Sequence, residues 1–414
     1  MISETIMTRA VASFGTPLFL YNQSDIVSAA KSLMQALPSK AQLLYSVKAN
    51  PNPAILKLLA QTGLLFEAAS VGELYHILNV GIKSESIVFS GQGKSIEGIQ
   101  LAVEKSVKAI NVESIRELSD VKLCCERLGK RQSVMLRVNP RMDNNNSVLK
   151  MGGVPSPYGI DEEQIEGVIA NFHSNNVQII GLFMYAGSQY FDENSILNNT
   201  AYLLDLAHSI HQRLHISISS LDFGGGFGIS EDESEKELDL IKLSKGMCRL
   251  FANEKINWLG EHCDLFFESG RFLVAKSAVY IARVVDAKMS RGVRYAILDG
   301  GINNLGIKQL QYRTFEPKVT VLSKDASEKE YVTIVGPTCT PIDVVCKNIL
   351  LPKIDIGDLV MIEDCGAYSA YFSPIYFCGH DSPAEVLYHD TEDKIILIKL
   401  RGDKCHACGY GFIG

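Results

Sequence analysis

Leu43-Leu44-Tyr45-Ser46-Val47-Lys48-Ala49-Asn50-Pro51-Asn52-Pro53 is the stretch that decides the fold. An apolar run stops at a lysine, and a helix start follows at once. Asn52 is the cap and Pro53 takes the first helical position. Gly63 closes that helix. A lysine amine leaving a buried strand is partly desolvated, which favours the free base and lets it attack a carbonyl to form a Schiff base. Taken alone, Val47-Lys48-Ala49-Asn50 fits an ordinary surface lysine at a strand end. The rest of the chain reverses that reading.

Working outward, the same strand-then-helix unit recurs. Short apolar runs fall at 43–47, 64–67, 87–89, 108–112, 133–138, 179–185, 218–223 and 264–267. Ser70-Val71-Gly72-Glu73 is a capping box whose helix ends at Gly81, and Ser114-Ile115-Arg116-Glu117 is another, ended by Gly129. Ile26, Val27, Ala30, Leu33, Met34 and Leu37 mark an amphipathic helix ahead of the first strand. Eight strands interleaved with helices predict a parallel (β/α)8 barrel over 22–270. A doubly wound sheet needs fewer strands and a split in polarity that is absent. After residue 271 helix signals become sparse. Phe272–Val285, Val293–Leu298, Lys318–Leu322, Tyr331–Val335, Asp358–Ile362 and Lys394–Lys399 read as strands of a second, mostly β domain. That domain takes 271–414 and 1–21, with Thr16–Tyr21 a candidate extra strand.

The 414 residues are 46% hydrophobic and 21% charged, which describes a globular protein with ample core. A net charge of −7 gives no reason to expect nucleic acid or an anionic membrane as partner. No apolar run approaches a membrane span. Ser3, Glu4, Thr5 and Arg9 make the N-terminal stretch unlike a signal peptide, so a cytoplasmic location is expected. There the ten cysteines would be free thiols. Cys405-His406-Ala407-Cys408 has no second pair at zinc-finger spacing, so a plain tail is expected and no metal.

In such barrels the working site lies at the C-terminal ends of the strands. The unusual residues fall there: Lys48, Glu67, Gly91 and Lys94, Asn111 and Glu113, Arg137 and Asn139, Tyr185, Gly187 and Ser188, Gly224-Gly225-Gly226, then Glu268 and Arg271. The glycine run offers N–H groups that can cradle a phosphate after the seventh strand. A tight structural turn is the alternative. A dinucleotide reading fails, because Gly224-Gly225-Gly226-Phe227-Gly228-Ile229 lacks the third glycine of that spacing. A lysine imine, a phosphate cradle and a glutamate able to hold a pyridinium N–H together suggest pyridoxal 5'-phosphate, PLP.

These residues resemble the fold-type III PLP-dependent decarboxylases, the alanine-racemase-like TIM-barrel enzymes with a C-terminal β domain that include diaminopimelate and ornithine decarboxylases. Tyr45-Ser46-Val47-Lys48-Ala49-Asn50 looks like the Schiff-base motif. Phe66-Glu67-Ala68-Ala69-Ser70, Ser90-Gly91-Gln92-Gly93-Lys94 and Leu221–Gly228 resemble further blocks. So do Glu268-Ser269-Gly270-Arg271, with serine in place of the usual proline, Gly336-Pro337-Thr338-Cys339 and Gly366-Ala367-Tyr368. The resemblance implies that Lys48 holds PLP and that Glu268 pairs with its ring nitrogen. It implies phosphate contacts from Ser188, Gly224, Gly225, Gly226, Gly270, Arg271 and Tyr368, with Glu67 and Arg137 also in the cofactor site. Cys339 would protonate the substrate carbon from the neighbouring subunit of a homodimer with shared active sites. Arg313, Asp343 and Tyr368 would shape the substrate site.

Three departures stand out. Tyr185 occupies the place of the family's ring-stacking histidine, and a tyrosine can stack equally. Cys339 is followed by Thr340 and Pro341, where diaminopimelate enzymes carry a glutamate for the distal amino group. Asp299-Gly300-Gly301-Ile302-Asn303-Asn304 lacks the histidines that often follow D-G-G. Lys150-Met151-Gly152-Gly153-Val154-Pro155, the tyrosine before Gly187-Ser188-Gln189, and Cys339-Thr340-Pro341-Ile342-Asp343 are similar to a subgroup, the glutamyl-[acyl carrier protein] decarboxylases of butirosin biosynthesis. A biosynthetic decarboxylase acting on an amino-acyl group of an acyl carrier protein, or on another extended amino acid, is therefore expected. Diaminopimelate and ornithine/lysine decarboxylases are the alternatives within the family. An amino-acid racemase and a non-catalytic PLP-binding protein are the alternatives outside it; the Gly336–Cys339 block and the long β domain speak against both.

Overall fold

Eight short parallel strands close a barrel in the computed structural model, which describes residues 2–142, 149–150, 154–230, 236–252, 254–260, 262–311, 317–323 and 328–402. Arg313, the Met151–Gly153 part of the Lys150–Pro155 motif, and Cys405–Cys408 lie outside the described residues. The strands are β1 (Ala41–Ser46), β2 (Leu65–Ala68), β3 (Ile87–Phe89), β4 (Ala109–Val112), β5 (Gln132–Asn139), β6 (Val177–Phe183), β7 (Ser220–Asp222) and β8 (Asp264–Ser269). They pair in the order β4-β3-β2-β1-β8-β7-β6-β5, and β4 closes the ring on β5. Each expected apolar run lands on one of them. Leu44, Val88, Ala109, Met135, Phe183 and Phe266 fill the interior as one buried cluster, with Leu65, Ile180 and Tyr185 packed against it. The barrel is thus a packed core and not a pore.

The helix starts follow from the caps. Asn52 accepts from the Ala54 N–H at 3.0 Å and opens Pro53–Gln61. Ser70 Oγ accepts from Glu73 N–H at 3.2 Å, and Ser114 Oγ from Glu117 N–H at 3.1 Å. The expected reciprocal bonds are shifted by one residue. The Glu73 carboxylate takes the Ala69 N–H, and the Glu117 carboxylate takes the Glu113 N–H. Each box therefore reaches back to the residue before the cap and pins the preceding strand end.

The described residues fall into two units, one within Ala29–Ser230 and Lys236–Phe272, the other within Met1–Ser28 and Leu273–Gly414. In the second, nine strands form one sheet. Its main path runs Val344–Pro352, Lys329–Val335, Val293–Leu298, Ala278–Ser290, Leu18–Asn22, Ala384–His389, Lys394–Lys399. Leu18–Asn22 lies between Ala278–Ser290, antiparallel, and Ala384–His389, parallel.

One sequence expectation changes here, and four elements appear that the sequence did not single out. The strand expected from Phe272 begins at Ala278; Arg271–Val274 is a short helix and Ala275–Ser277 a 3₁₀ turn. A short apolar run is compatible with either state, and composition alone does not separate them. Ile302–Gln311 is helical, broken at Gly306 with φ +43°. The N-terminal mixed stretch forms the helix Glu4–Phe14, whose Ile6, Met7, Ala10 and Val11 are buried in a cluster with Leu18, Ile281 and Val386. Val344–Pro352 and Ala384–His389 are strands that periodicity did not single out.

Candidate active site

Lys48 sits in a 3₁₀ turn, Val47–Ala49, one step beyond β1. Tyr45 Oη donates to Asn50 O at 2.9 Å and Asn52 N–H to Asn50 Oδ1 at 3.0 Å, so the turn is tied to the strand and to the next helix. The Lys48 side chain is 43% exposed, less desolvated than the sequence suggests, because the turn lifts it to the barrel mouth. Its Nζ donates to Glu67 Oε2 at 3.0 Å, and Glu67 is buried. That contact follows from register: Glu67 on β2 pairs with Ser46, two residues before Lys48.

Glu268 is the last residue but one of β8 and Asp222 ends β7, and both are buried. With Glu67 they put three carboxyl groups in the same buried mouth. Burial pushes Asp222 up to about 7, with the charge of Glu67 adding to the rise. Burial pushes Glu268 well above the usual carboxylate range, and the neighbouring Asp222 and Glu67 charges push the same way. Glu268 Oε1 is buried and meets no hydrogen-bond donor among the described residues. A cationic ring N–H bound there would supply that donor and a compensating charge. Asp222 was not foreseen as a site residue. Its signal was an acid two positions before the glycine run, at a strand end.

The glycine run is shaped by close packing. A side chain at Gly225 would meet Glu268 O at 2.2 Å, and one at Gly226 would meet Gly187 O at 2.5 Å. Gly224 N–H donates to Asp222 Oδ1 at 2.9 Å. Among the described residues no backbone acceptor takes the N–H of Gly225 or Gly226, which leaves both N–H groups open to a ligand. Tyr185 lies beside Gly224: a Cβ there would meet its ring at 2.9 Å. Ser188 follows in a two-residue strand, Gly187–Ser188, paired with Leu149–Lys150. Gly270 passes tightly over the Lys48 turn, where a Cβ would meet Ala49 Cβ at 2.8 Å, and Arg271 comes next. The open carboxylate, the open glycine N–H groups and the lysine at the mouth together fit PLP.

The remaining mouth residues form a frame. Arg137 donates to Glu113 Oε1 at 2.9 Å, and its guanidinium lies 4.9 Å from the Tyr158 ring and 5.2 Å from the Phe183 ring. The side chain of Lys94, expected only as a residue near the site, is buried. It donates to Gly91 O, Asn111 O and Glu117 Oε1 at 2.6, 2.6 and 2.5 Å. Asn139 donates to Asp161 Oδ1 at 2.9 Å.

In the second unit, Asp343 is buried and receives the Ile302 N–H, the Thr338 N–H and the Thr338 hydroxyl at 2.8, 2.9 and 2.5 Å. Its carboxylate clamps the Gly336–Cys339 loop. Cys339 is exposed, and the Cys378 sulfur 3.3 Å away pushes its thiol up, keeping it protonated. Tyr368 takes φ 55° after Gly366, which packs where a Cβ would meet Val274 O at 1.8 Å. A left-handed tyrosine is a costly conformation, of a kind that clusters at functional sites.

The family described as pyridoxal-dependent decarboxylase, pyridoxal binding domain, matches residues 23–275. The chain is 32% identical over 409 residues to the L-glutamyl-[BtrI acyl-carrier protein] decarboxylase of Niallia circulans, covering 97% of this chain and 95% of that one. It is 30% identical over 390 residues to the diaminopimelate decarboxylase of Helicobacter pylori strain 26695, covering 93% of each. Among solved structures, diaminopimelate decarboxylase from M. jannaschii in co-complex with L-lysine superposes with a TM-score of 0.90 at 25% identity, over 99% of this chain and 94% of that one.

Proposed function

The chain belongs to the pyridoxal-dependent decarboxylases, and we propose that it removes the α-carboxylate of a glutamyl or similar amino-acyl group held as a thioester on an acyl carrier protein. PLP, when bound, accepts the electron pair left as CO2 departs. The residues at the barrel mouth do the rest. Lys48 holds the cofactor through its amine. Glu268 accepts the ring N–H, and Tyr185 covers the ring. Glu67 and Arg137 frame the pocket. Ser188, Gly225, Gly226, Gly270 and Arg271 take the phosphate, with Tyr368. Cys339 gives a proton to the α-carbon, and Asp343 sets the loop that carries it.

One observation carries the substrate reading. The two positions after Cys339 hold no acid, Thr340 being followed by Pro341, and the carboxylate of Asp343, whose N–H closes the turn on the Thr340 carbonyl at 3.2 Å, is turned to Ile302 and Thr338. A free substrate with a distal ammonium finds no partner there, whereas a thioester arm needs none. The similarity to the Niallia circulans enzyme supports the same reading.

The enzyme works as a homodimer in the cytoplasm, with Cys339 reaching the partner's barrel. The support for pairing is an apolar exposed surface around that loop: Ile342, Phe372, Tyr376 and Phe377 are all exposed. The test is CO2 release from glutamyl-carrier thioester beside free glutamate, diaminopimelate, ornithine and lysine. The carrier thioester is expected to be turned over fastest. Faster release from a free amino acid overturns the reading.

A further inference from the structure

Cys339 and Cys378 are separated by 38 residues of chain, yet their sulfurs lie 3.3 Å apart. Both are exposed free thiols. Cys378 is delivered by a tight turn in which Phe377 N–H donates to Pro374 O at 2.9 Å, and it takes φ 58° followed by Gly379 at φ 65°. A non-glycine residue in that left-handed region is strained. The strained backbone therefore presents the second sulfur to the first. From 3.3 Å, an approach of about 1.3 Å reaches the disulfide bond length of about 2.05 Å.

We propose that Cys339 and Cys378 form an oxidisable dithiol, a modification site at which a peroxide closes an intrachain disulfide and reversibly stops turnover. The Cys339 sulfur attacks the peroxide O–O bond as its thiol proton passes through solvent to the departing hydroxide, giving a sulfenic acid and one water. The Cys378 thiol then displaces the second water from that sulfur. Two thiols lose two electrons, and the peroxide is reduced to two waters. The effect on turnover rests on the proton-donor role proposed for Cys339; the disulfide itself does not. Cys378 is in this view the resolving partner, which spares Cys339 from further, irreversible oxidation.

The test uses PLP-loaded enzyme treated with hydrogen peroxide, alkylated under denaturing conditions and mapped by mass spectrometry. The expected result is a Cys339–Cys378 cross-linked peptide, a loss of CO2 release of about tenfold or more, and recovery with dithiothreitol. Cys378→Ser should start with activity close to that of the parent enzyme. After peroxide it should lose activity that dithiothreitol does not restore, with sulfinic acid at Cys339. Absence of the cross-link while Cys339 is oxidised overturns the proposal. A cross-link that leaves turnover intact overturns the control of activity and, with it, the proton-donor role of Cys339. The carrier-thioester reading is untouched by either outcome, because it is decided by substrate preference.

Discussion

The backbone N–H of Glu268 donates to the carbonyl of Gly224 at 2.7 Å. The carboxylate proposed for the cofactor ring and the glycine run proposed for its phosphate are thus one hydrogen-bonded unit. Gly224 N–H returns a bond to Asp222, which closes the unit on β7.

Gly225→Ala should break that unit. Its added methyl would fall 2.2 Å from Glu268 O, inside any real contact, and the neighbour is backbone that cannot swing away. We expect PLP affinity to fall about tenfold or more, equivalent to about 1.4 kcal/mol or more. A titration of cofactor-free protein followed by absorbance measures this. Unchanged affinity would show that the glycine run is only a structural turn.

Asp222 makes the stability of the cofactor-free protein depend on pH. Its folded pKa, about 7, lies above its ordinary 3.8. The folded state therefore holds the proton more tightly than the unfolded chain. The resulting stabilisation is fully present below about 3.8 and is lost as pH rises through about 7. Glu73, also pushed up to about 7 by burial, contributes with the same sign. Melting curves of the cofactor-free protein between pH 5 and 8 should show the Tm falling, and Asp222→Asn should flatten the slope without abolishing it. An identical slope in the variant would remove Asp222 from the account.

Lys48→Ala should abolish covalent PLP, read as the loss of the borohydride-fixed cofactor mass on the peptide and of all turnover. Cys339→Ala should retain the covalent cofactor and lose turnover. If the two act in one site built from two subunits, mixing the dead variants rescues activity. Random exchange gives about half heterodimers, each with one intact site, and hence about a quarter of full activity. No rescue after verified subunit exchange would place Lys48 and Cys339 in a site within one chain.

The barrel was legible because each of its strands is a short continuous apolar run between capped helices, and because parallel strands buried on both faces read that way. The candidate site residues stood out for the same reason: polar residues that interrupt such runs at their C-terminal ends have few structural excuses. What escaped depended on long-range partners. Lys94 stood out at a strand end, but its burial and its partners, Glu117 and the Gly91 and Asn111 carbonyls, did not. Glu385 hides the strand Ala384–His389 because an acid there makes sense only with Lys399 at 3.0 Å. Val344–Pro352 is interrupted by Lys347 and by Asn348 at φ 52°, and its pairing with Lys329–Val335 shifts register there. Asp343 looked like a substrate ligand by resemblance; the two backbone N–H groups it collects were invisible in the sequence.

Thr340 should decide between free and tethered substrates. Its side chain offers one hydroxyl and no charge. A distal ammonium left unpaired in a closed site costs about 1–3 kcal/mol. That loss corresponds to about tenfold to a hundredfold in kcat/KM. Free meso-diaminopimelate should accordingly be a poor substrate, with the deficit visible against a carrier thioester in steady-state assays. Thr340→Glu supplies the missing carboxylate on the same turn, so it should raise kcat/KM for diaminopimelate by about tenfold while leaving the thioester unimproved. Efficient turnover of diaminopimelate by the parent enzyme would sink the argument from Thr340. A Thr340→Glu variant with no gain would mean that this turn does not face the distal end of the substrate.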